Sequence, residues 1–261
     1  MTRLAGVSGV AARGLVAALV FASLAGVLAV VAQDAKPAIP PDSTYVKSKV
    51  CGMCHKEQLA LWSQTLHAKQ QPAADTKEPW IYTTGWDPAT EQPSETGVAC
   101  EACHGRGKAH VAAKEDDRKL KIIKGDTLGS PALEVSICAQ CHARYKPNEG
   151  DPPVAFTPGD DLLAKINLLP VQDGQKMQQV NELVGSKHFE KGTVCESCHS
   201  GHPASGAPHQ LRKAVPDLCL DCHKDKSDVA GHTKGKAKAD DTCVTCHMPN
   251  GSHAFRKPAS Q

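Results

Sequence analysis

The chain has 261 residues, including 12 cysteines and 13 histidines, whereas phenylalanine, tyrosine and tryptophan together make up only 4%. Its 30 lysines and arginines nearly balance its 28 aspartates and glutamates, which excludes the strongly basic surface of a nucleic-acid-binding protein. Because aromatic side chains usually supply much of a buried core, we expect something other than side chains to fill the interior.

The N-terminal segment has the features of a secretory signal. Arg3 and Arg13 precede a nearly unbroken apolar run over residues 14–31, and a small residue ends it at Ala32. We therefore predict that residues 1–32 are a signal peptide cleaved after Ala32, and that the rest of the chain is periplasmic. An uncleaved membrane anchor is the alternative, since about 18 apolar residues are close to the lower limit for a bilayer span. In both cases the cysteines meet oxidising conditions.

All the cysteines fall into six copies of the pattern Cys-X-X-Cys-His. The cysteines are Cys51, Cys54, Cys100, Cys103, Cys138, Cys141, Cys195, Cys198, Cys219, Cys222, Cys243 and Cys246. The histidines that close the six motifs are His55, His104, His142, His199, His223 and His247. Two cysteines at this spacing can bond to the two vinyl groups of one haem, and the histidine then lies beneath the iron as the proximal ligand. Zinc ribbons and disulfide scaffolds require no histidine after every pair, so we predict six covalently bound haem c groups.

Seven histidines remain for the distal side of the irons. These distal candidates are His67, His110, His188, His202, His209, His232 and His253. They are enough for six irons with one to spare. Of the 4 methionines, Met177 alone lies away from the N-terminal segment and the motifs. Bis-histidine ligation is therefore expected at most irons, and with it low reduction potentials.

The spacing of some candidates predicts ligands that cross between haems. His202 comes three residues after His199, and a chain that short cannot easily pass around a haem edge. The same argument applies with less force to His110 and His253, and a helix after the first motif would carry His67 roughly 18 Å away. We therefore expect distal histidines to serve neighbouring irons, which would hold adjacent haems close together.

The fold is predicted to be mainly α with extensive coil and little or no sheet, organised around a stacked haem chain. Helical apolar spacing predicts short helices at residues 56–68, 111–120 and 175–185. A stretch rich in Pro, Gly and Asp, Lys146 to Asp161, separates the first three motifs from the last three, which recur every 24 residues. We expect an N-terminal three-haem region at 33–155 and a C-terminal three-haem region at 156–261. Trp62 is expected to pack against a porphyrin.

Longer stretches around the motifs carry a family pattern. They are CGMCHKEQLALWSQTLHA from Cys51, GVACEACHGRGKAH from Gly97 and SKHFEKGTVCESCHSGHP from Ser186. These stretches resemble the periplasmic multihaem cytochromes with doubled CXXCH motifs, a group that includes small tetrahaem, pentahaem and decahaem electron carriers. The resemblance covers most of the chain after residue 32. It implies that the distal ligands include His67, His110, His188 and His202.

The last motif departs from that pattern. Asn250 stands three residues after His247, where the family repeat has a histidine. Either His253 or His209 therefore replaces the usual ligand, or one haem is open on its distal side. An open haem keeps an enzymatic function possible.

The resemblance implies electron transfer in an anaerobic-type periplasmic respiratory chain, with no catalytic residue and no nucleic-acid partner. The expected partners are a membrane quinol-oxidising subunit, a terminal reductase or an outer-membrane conduit. Two alternatives stay open: an oxidoreductase acting on a small nitrogen or sulfur compound at one accessible haem, and a subunit of a cytochrome filament. The cluster Lys234, Lys236 and Lys238 belongs to a solvated loop, or it contacts haem propionates or an acidic partner.

Overall fold

Short helices joined by turns and coil dominate the described part of the chain, as the sequence predicted. The computed structural model describes residues 44–70, 84, 86–87, 89–90, 92–147, 156–204 and 207–257. The predicted signal peptide therefore lies outside the described residues. Within these ranges, every helix is too short or too polar to cross a bilayer.

The helices are brief, and several of them contain a cysteine motif. They are α1 (Lys47–Cys54), α2 (Lys56–Trp62), α3 (Leu66–Lys69), α4 (Cys100–His104), α5 (Lys108–Ala112), α6 (Glu115–Arg118), α7 (Pro131–His142), α8 (Gln179–Val184), α9 (Lys187–Glu190), α10 (Cys195–Cys198), α11 (Asp217–Leu220), α12 (Val229–Thr233) and α13 (Cys243–His247). Single 3-10 turns lie at Lys119–Lys121, Gly125–Thr127, Leu163–Lys165, Pro208–Gln210, Lys224–Lys226 and Pro249–Gly251. Each motif thus begins in, or forms, a turn of helix that can present its histidine.

Sheet is confined to two small antiparallel ribbons in the described residues. Strand β1 (Trp86–Asp87) pairs with β2 (Gln92–Pro93), and β3 (Tyr145–Pro147) pairs with β4 (Ile166–Leu168). The second ribbon begins just after α7 and lies beside the apolar core. The mainly helical fold with little sheet is therefore confirmed.

A central core forms around α7, the longest described helix. Its buried apolar residues are Val135, Ile137, Ala139, Phe156, Leu162, Ile166, Val180 and Leu183. Pro131 begins α7 at a position where its missing N–H costs nothing. Inside that helix, the Ser136 hydroxyl accepts hydrogen bonds from the backbone N–H of Leu162 (3.0 Å) and of Leu163 (3.3 Å). These two backbone N–H groups are thereby satisfied.

Asn181 makes the second polar connection of the central core. Its side chain accepts a hydrogen bond from the Arg144 N–H at 2.9 Å, and it donates to the carbonyls of Arg144 (2.7 Å) and Leu169 (2.8 Å). This connection fixes α8 against the chain on either side of the second ribbon. The domain boundary near residue 155 stays a prediction.

The C-terminal segment, residues 207–257, has no comparable core. Every residue of this segment is described, and each remains at least partly exposed. Two cysteine motifs lie in it, those of α11 and α13. Side chains of the protein alone therefore do not fill its interior.

The three predicted helices differ from the observed ones because local backbone signals interrupt them. The predicted helix 56–68 breaks before Thr65, which caps α3, and the predicted helix 111–120 is divided between α5, α6 and a 3-10 turn. The third begins only at Gln179, since Gly174 and Met177 both have positive φ. Apolar spacing located these helices but could not show where they break.

Candidate haem-binding sites

Each of the six motif histidines faces the ring of one other histidine. The ring centres of each pair lie 5.9 to 6.2 Å apart. The pairs are His55–His110, His104–His202, His142–His67, His199–His253, His223–His188 and His247–His232. Six of the seven distal candidates thus lie opposite a proximal candidate, and His209 is in none of these pairs.

The separation fits a metal ion held between two imidazoles. Two ring nitrogens that bind one metal from opposite sides stand roughly 4 Å apart, which puts their ring centres roughly 6 Å apart. The same separation recurs at all six motifs although their sequence contexts differ. The residues present therefore fit bis-histidine haem iron.

Hydrogen bonds to backbone carbonyls orient several of these rings. The Nδ1 atoms of His104, His199 and His247 lie 2.6, 2.9 and 3.0 Å from the carbonyl oxygens of Ile123, His209 and Arg256. On the distal side, His110 and His253 make the same contact with Arg118 at 2.9 Å and Gly251 at 3.0 Å. A ring whose Nδ1–H donates in this way presents Nε2 to a metal. His209 therefore contributes its carbonyl oxygen, which orients His199.

Three distal candidates lie on helical turns that begin with a capping side chain. Thr65 and Ser186 accept hydrogen bonds from the N–H of Ala68 (3.2 Å) and Phe189 (3.3 Å), and each stands two residues before a histidine. Asp228 accepts from the Gly231 N–H at 2.9 Å at the start of α12. Such caps fix short helices that would otherwise fray.

Gly97 lets the chain cross closely behind the turn that carries His67. Its φ is +80°, and a Cβ there would lie 2.6 Å from the Ala68 carbonyl oxygen. The next residue, Val98, donates its N–H to the His67 carbonyl at 2.8 Å, and the Trp62 indole donates to the Val98 carbonyl at 3.0 Å. A side chain at Gly97 would displace this turn.

Comparisons with known proteins agree with this geometry. The family model described as "Doubled CXXCH motif" matches residues 187–228, and the model described as "Cytochrome c554 and c-prime" matches residues 50–82. The chain is a multihaem c-type cytochrome. Covalently bound c-type haem is its cofactor.

The cytochrome is similar in sequence to two curated proteins and in fold to one solved structure. It is 26% identical over 177 residues to the dissimilatory sulfite reductase MccA of Wolinella succinogenes, covering 59% of this chain and only 22% of the reductase. It is also 26% identical over 179 residues to cytochrome c-554 of Nitrosomonas europaea, covering 53% of this chain and 69% of that protein. The structure of the outer cell wall cytochrome OcwA is similar in fold, with a TM-score of 0.54 at 16% identity over 82% of this chain and 80% of that one.

Histidine pairing in the cytochrome crosses between motifs. The ring of His67, which follows the first motif, faces the third motif, and His202, which follows the fourth, faces the second. His253 follows the sixth motif and faces the fourth. At the last motif, where Asn250 stands in the expected ligand position, His232 faces the proximal ring instead.

The first cysteines of consecutive motifs lie close together in pairs. The side chains of Cys51 and Cys100 are neighbours, and so are those of Cys138 and Cys195. Cys219 and Cys243 are neighbours in the same way. All the cysteines are free of disulfides. The first cysteines of the six motifs therefore form three close pairs in motif order.

Burial keeps several imidazoles neutral. It lowers the pKa of His67 and of His142, and the neighbouring histidines lower the pKa of His67 further. Burial also lowers the pKa values of His202 and His253. A neutral imidazole can bind iron without first losing a proton. These rings are therefore ready to ligate a metal at neutral pH.

Several exposed apolar side chains flank the candidate ligands. Met53 and Leu66, which are 71% and 77% exposed, lie within two residues of His55 and His67. Val111 directly follows His110 and is 43% exposed. Large apolar side chains at such positions suit contact with a porphyrin face better than contact with water.

Two buried glutamates near the motifs gave no signal in the sequence. Glu182 of α8 accepts hydrogen bonds from the His253 N–H at 2.6 Å and from the Ser252 hydroxyl at 3.1 Å. Glu101, inside the second motif, is 2% exposed and accepts backbone N–H bonds from the chain before the first motif. Both join segments that are distant in sequence, so spacing could not reveal them.

Proposed function

We propose that the protein is a hexahaem c-type cytochrome that carries electrons through six bis-histidine haems of low potential. The observation that carries this proposal is the set of six histidine pairs with ring centres 5.9 to 6.2 Å apart. Haem iron supplies the one-electron couple, and the chain supplies its ligands, spacing and surroundings. With histidine on both sides of each iron, no position is left for a substrate.

The proximity of the cysteine side chains supports a haem order that follows the order of the motifs. The three close pairs of first cysteines join motifs one and two, three and four, and five and six. Between these pairs, Cys103 of the second motif lies near Cys138 of the third, and Cys198 of the fourth lies near Cys222 of the fifth. We infer a continuous electron path from the first motif to the sixth.

The two ends of this path suit exchange of electrons with partners. His55 at the first motif is exposed, and so is His232 opposite the sixth. The rings of His67 and His142 at the third motif are more buried, which suits an internal relay. Donor and acceptor are proposed to be other redox proteins: a membrane quinol-oxidising subunit on one side and a terminal reductase or outer-membrane conduit on the other. The proposed location is the periplasm.

Reduction of a sulfur compound is the second candidate, because the chain resembles the sulfite reductase MccA over 59% of its length. That activity requires an iron with a free distal face. The histidine opposite each motif argues against it, as does the fact that this chain spans 22% of the reductase.

Replacing the distal histidines one at a time tests the proposal. The wild-type protein should have the mass of its polypeptide plus six haems, and its electron paramagnetic resonance spectrum should be entirely low-spin. Alanine at any one paired distal histidine should convert one haem to a high-spin, cyanide-binding form. The matched control is His209→Ala, which should leave all six haems low-spin.

Two results would contradict electron transfer through six bis-histidine irons. One is a wild-type high-spin signal that shifts on adding sulfite or nitrite, which would favour the reductase. The other is a mass that corresponds to fewer than six haems.

A further inference from the structure

Glu101 is a buried residue of the second motif whose side chain contacts the chain just before the first motif. It directly follows Cys100 within the second motif, and its side chain is 2% exposed. The carboxylate accepts hydrogen bonds from the backbone N–H groups of Val46 (3.1 Å), Lys47 (3.0 Å) and Gly107 (2.6 Å). These donors replace water, so the buried carboxylate is satisfied by backbone N–H groups.

Two of these bonds fix the helix that carries the first motif. Helix α1 starts at Lys47 and contains Cys51 and Cys54, and Glu101 binds the N–H groups at its start. Carboxylates at such a helix end are favourable because the N–H groups there lack partners within the helix. The carboxylate therefore holds the first motif directly against the second.

Ser48 and Glu95 complete this connection. Glu95 accepts the next N–H of the helix, that of Ser48, at 3.0 Å, and the Ser48 hydroxyl lies 3.4 Å from the Cys100 nitrogen, which donates to it. Burial raises the pKa of Glu95, and the charge of Glu101 raises it further. Two carboxylates therefore lie beside the first two motifs, Glu101 buried and Glu95 half-buried, with the charge of Lys47 near Glu95.

We propose that Glu101 is a positioning residue that seats the first haem on the second and whose charge lowers the reduction potentials of both. This inference rests on the proposed haems at these two motifs. A nearby negative charge stabilises ferric over ferrous iron, and burial weakens the screening of that charge. For a charge and an iron on the order of 10 Å apart, at an effective dielectric constant of about 20, Coulomb's law would give a roughly tenfold change in the reduction equilibrium.

The fourth motif provides a matched control. Glu196 stands at the same position of its motif, directly after the first cysteine, but it is exposed. Water screens a charge at such a position. Two glutamates of equal chemistry and motif position therefore differ in burial.

The test compares Glu101→Gln with Glu196→Gln in the purified holoprotein by redox titration. Glu101→Gln should shift two of the six reduction equilibria about tenfold toward the ferrous state, which is about 59 mV per haem. Glu196→Gln should give a clearly smaller shift. Equal shifts in the two variants, or none in Glu101→Gln, would overturn the proposal.

A second variant provides a test if Glu101→Gln does not fold. Glu95→Gln removes the neighbouring carboxylate while Glu101 keeps α1 in place, and it should raise the same two potentials by less. Unchanged potentials in that variant would also overturn the proposal. Failure of the proposed haem content is distinguishable, because it would appear in the mass and colour of the wild-type protein.

Discussion

The central core around α7 and the C-terminal segment, residues 207–257, are stabilised in different ways. The core buries eight apolar residues together, and a serine and an asparagine side chain hydrogen-bond several backbone groups beside them. The C-terminal segment contains two motifs and has no buried residue over its whole described length. We therefore expect haems to supply its interior, in the way that small metal domains depend on their metal.

Haem dependence should accordingly differ between the two regions. The C-terminal segment also supplies His253, which faces the fourth motif, so disorder in the segment would reach the haem beside the core. Glu182 of α8 holds the backbone of His253 at that junction. The core therefore positions the backbone of His253, a candidate ligand from the C-terminal segment.

Removing the last two attachment sites should have the largest effect. In the variant with alanine at the four cysteines of the fifth and sixth motifs, residues 207–257 should lose their protection from hydrogen exchange and become sensitive to proteolysis. Residues 131–142 and 179–184 should keep their protection from hydrogen exchange, because the central core does not depend on the haems of the fifth and sixth motifs.

Alanine at Cys51 and Cys54 is the control for a general effect of losing haem. That variant should leave the C-terminal segment protected. Persistent protection of residues 207–257 without their two haems would show that the protein part of the segment folds by itself.

A core substitution should have the next largest effect. Leu162→Ala should lower the free energy of unfolding by about 2–5 kcal/mol, since Leu162 is fully buried against α7 and its removal leaves a cavity. Denaturant unfolding of the holoprotein, followed by circular dichroism, measures the change. Val171→Ala, at a side chain 40% exposed, is the control and should change stability by less than about 0.5 kcal/mol. Similar values for both variants would mean that haem contacts, and not the apolar core, stabilise this region.

The sequence predicted the motifs and the helical class because each depends on local residues. It could not predict the pairing of His104 with His202, because tertiary contacts that spacing does not record bring these rings together. A local signal for two of the distal candidates was present in the sequence. Thr65 and Ser186 are helix-capping residues, and each stands two residues before a histidine. The roles of Glu101 and Glu182 depend on burial, which their sequence positions do not show.

The smallest effect concerns the caps that hold distal histidines in the two regions. Asp228 caps α12, which presents His232 in the C-terminal segment, whereas Ser186 caps α9 next to the central core. Loss of a cap costs about 1 kcal/mol. In Asp228→Ala this should raise the population with His232 detached roughly fivefold, seen as a high-spin signal that grows on warming. In Ser186→Ala the adjoining helix α8, which is buried in the core, should keep α9 in place. The high-spin signal from detachment of His188 should therefore grow less on warming than the signal in Asp228→Ala. An equal rise in both variants would mean that the haems hold both helices alike, and that the contrast between core and segment does not extend to the ligands.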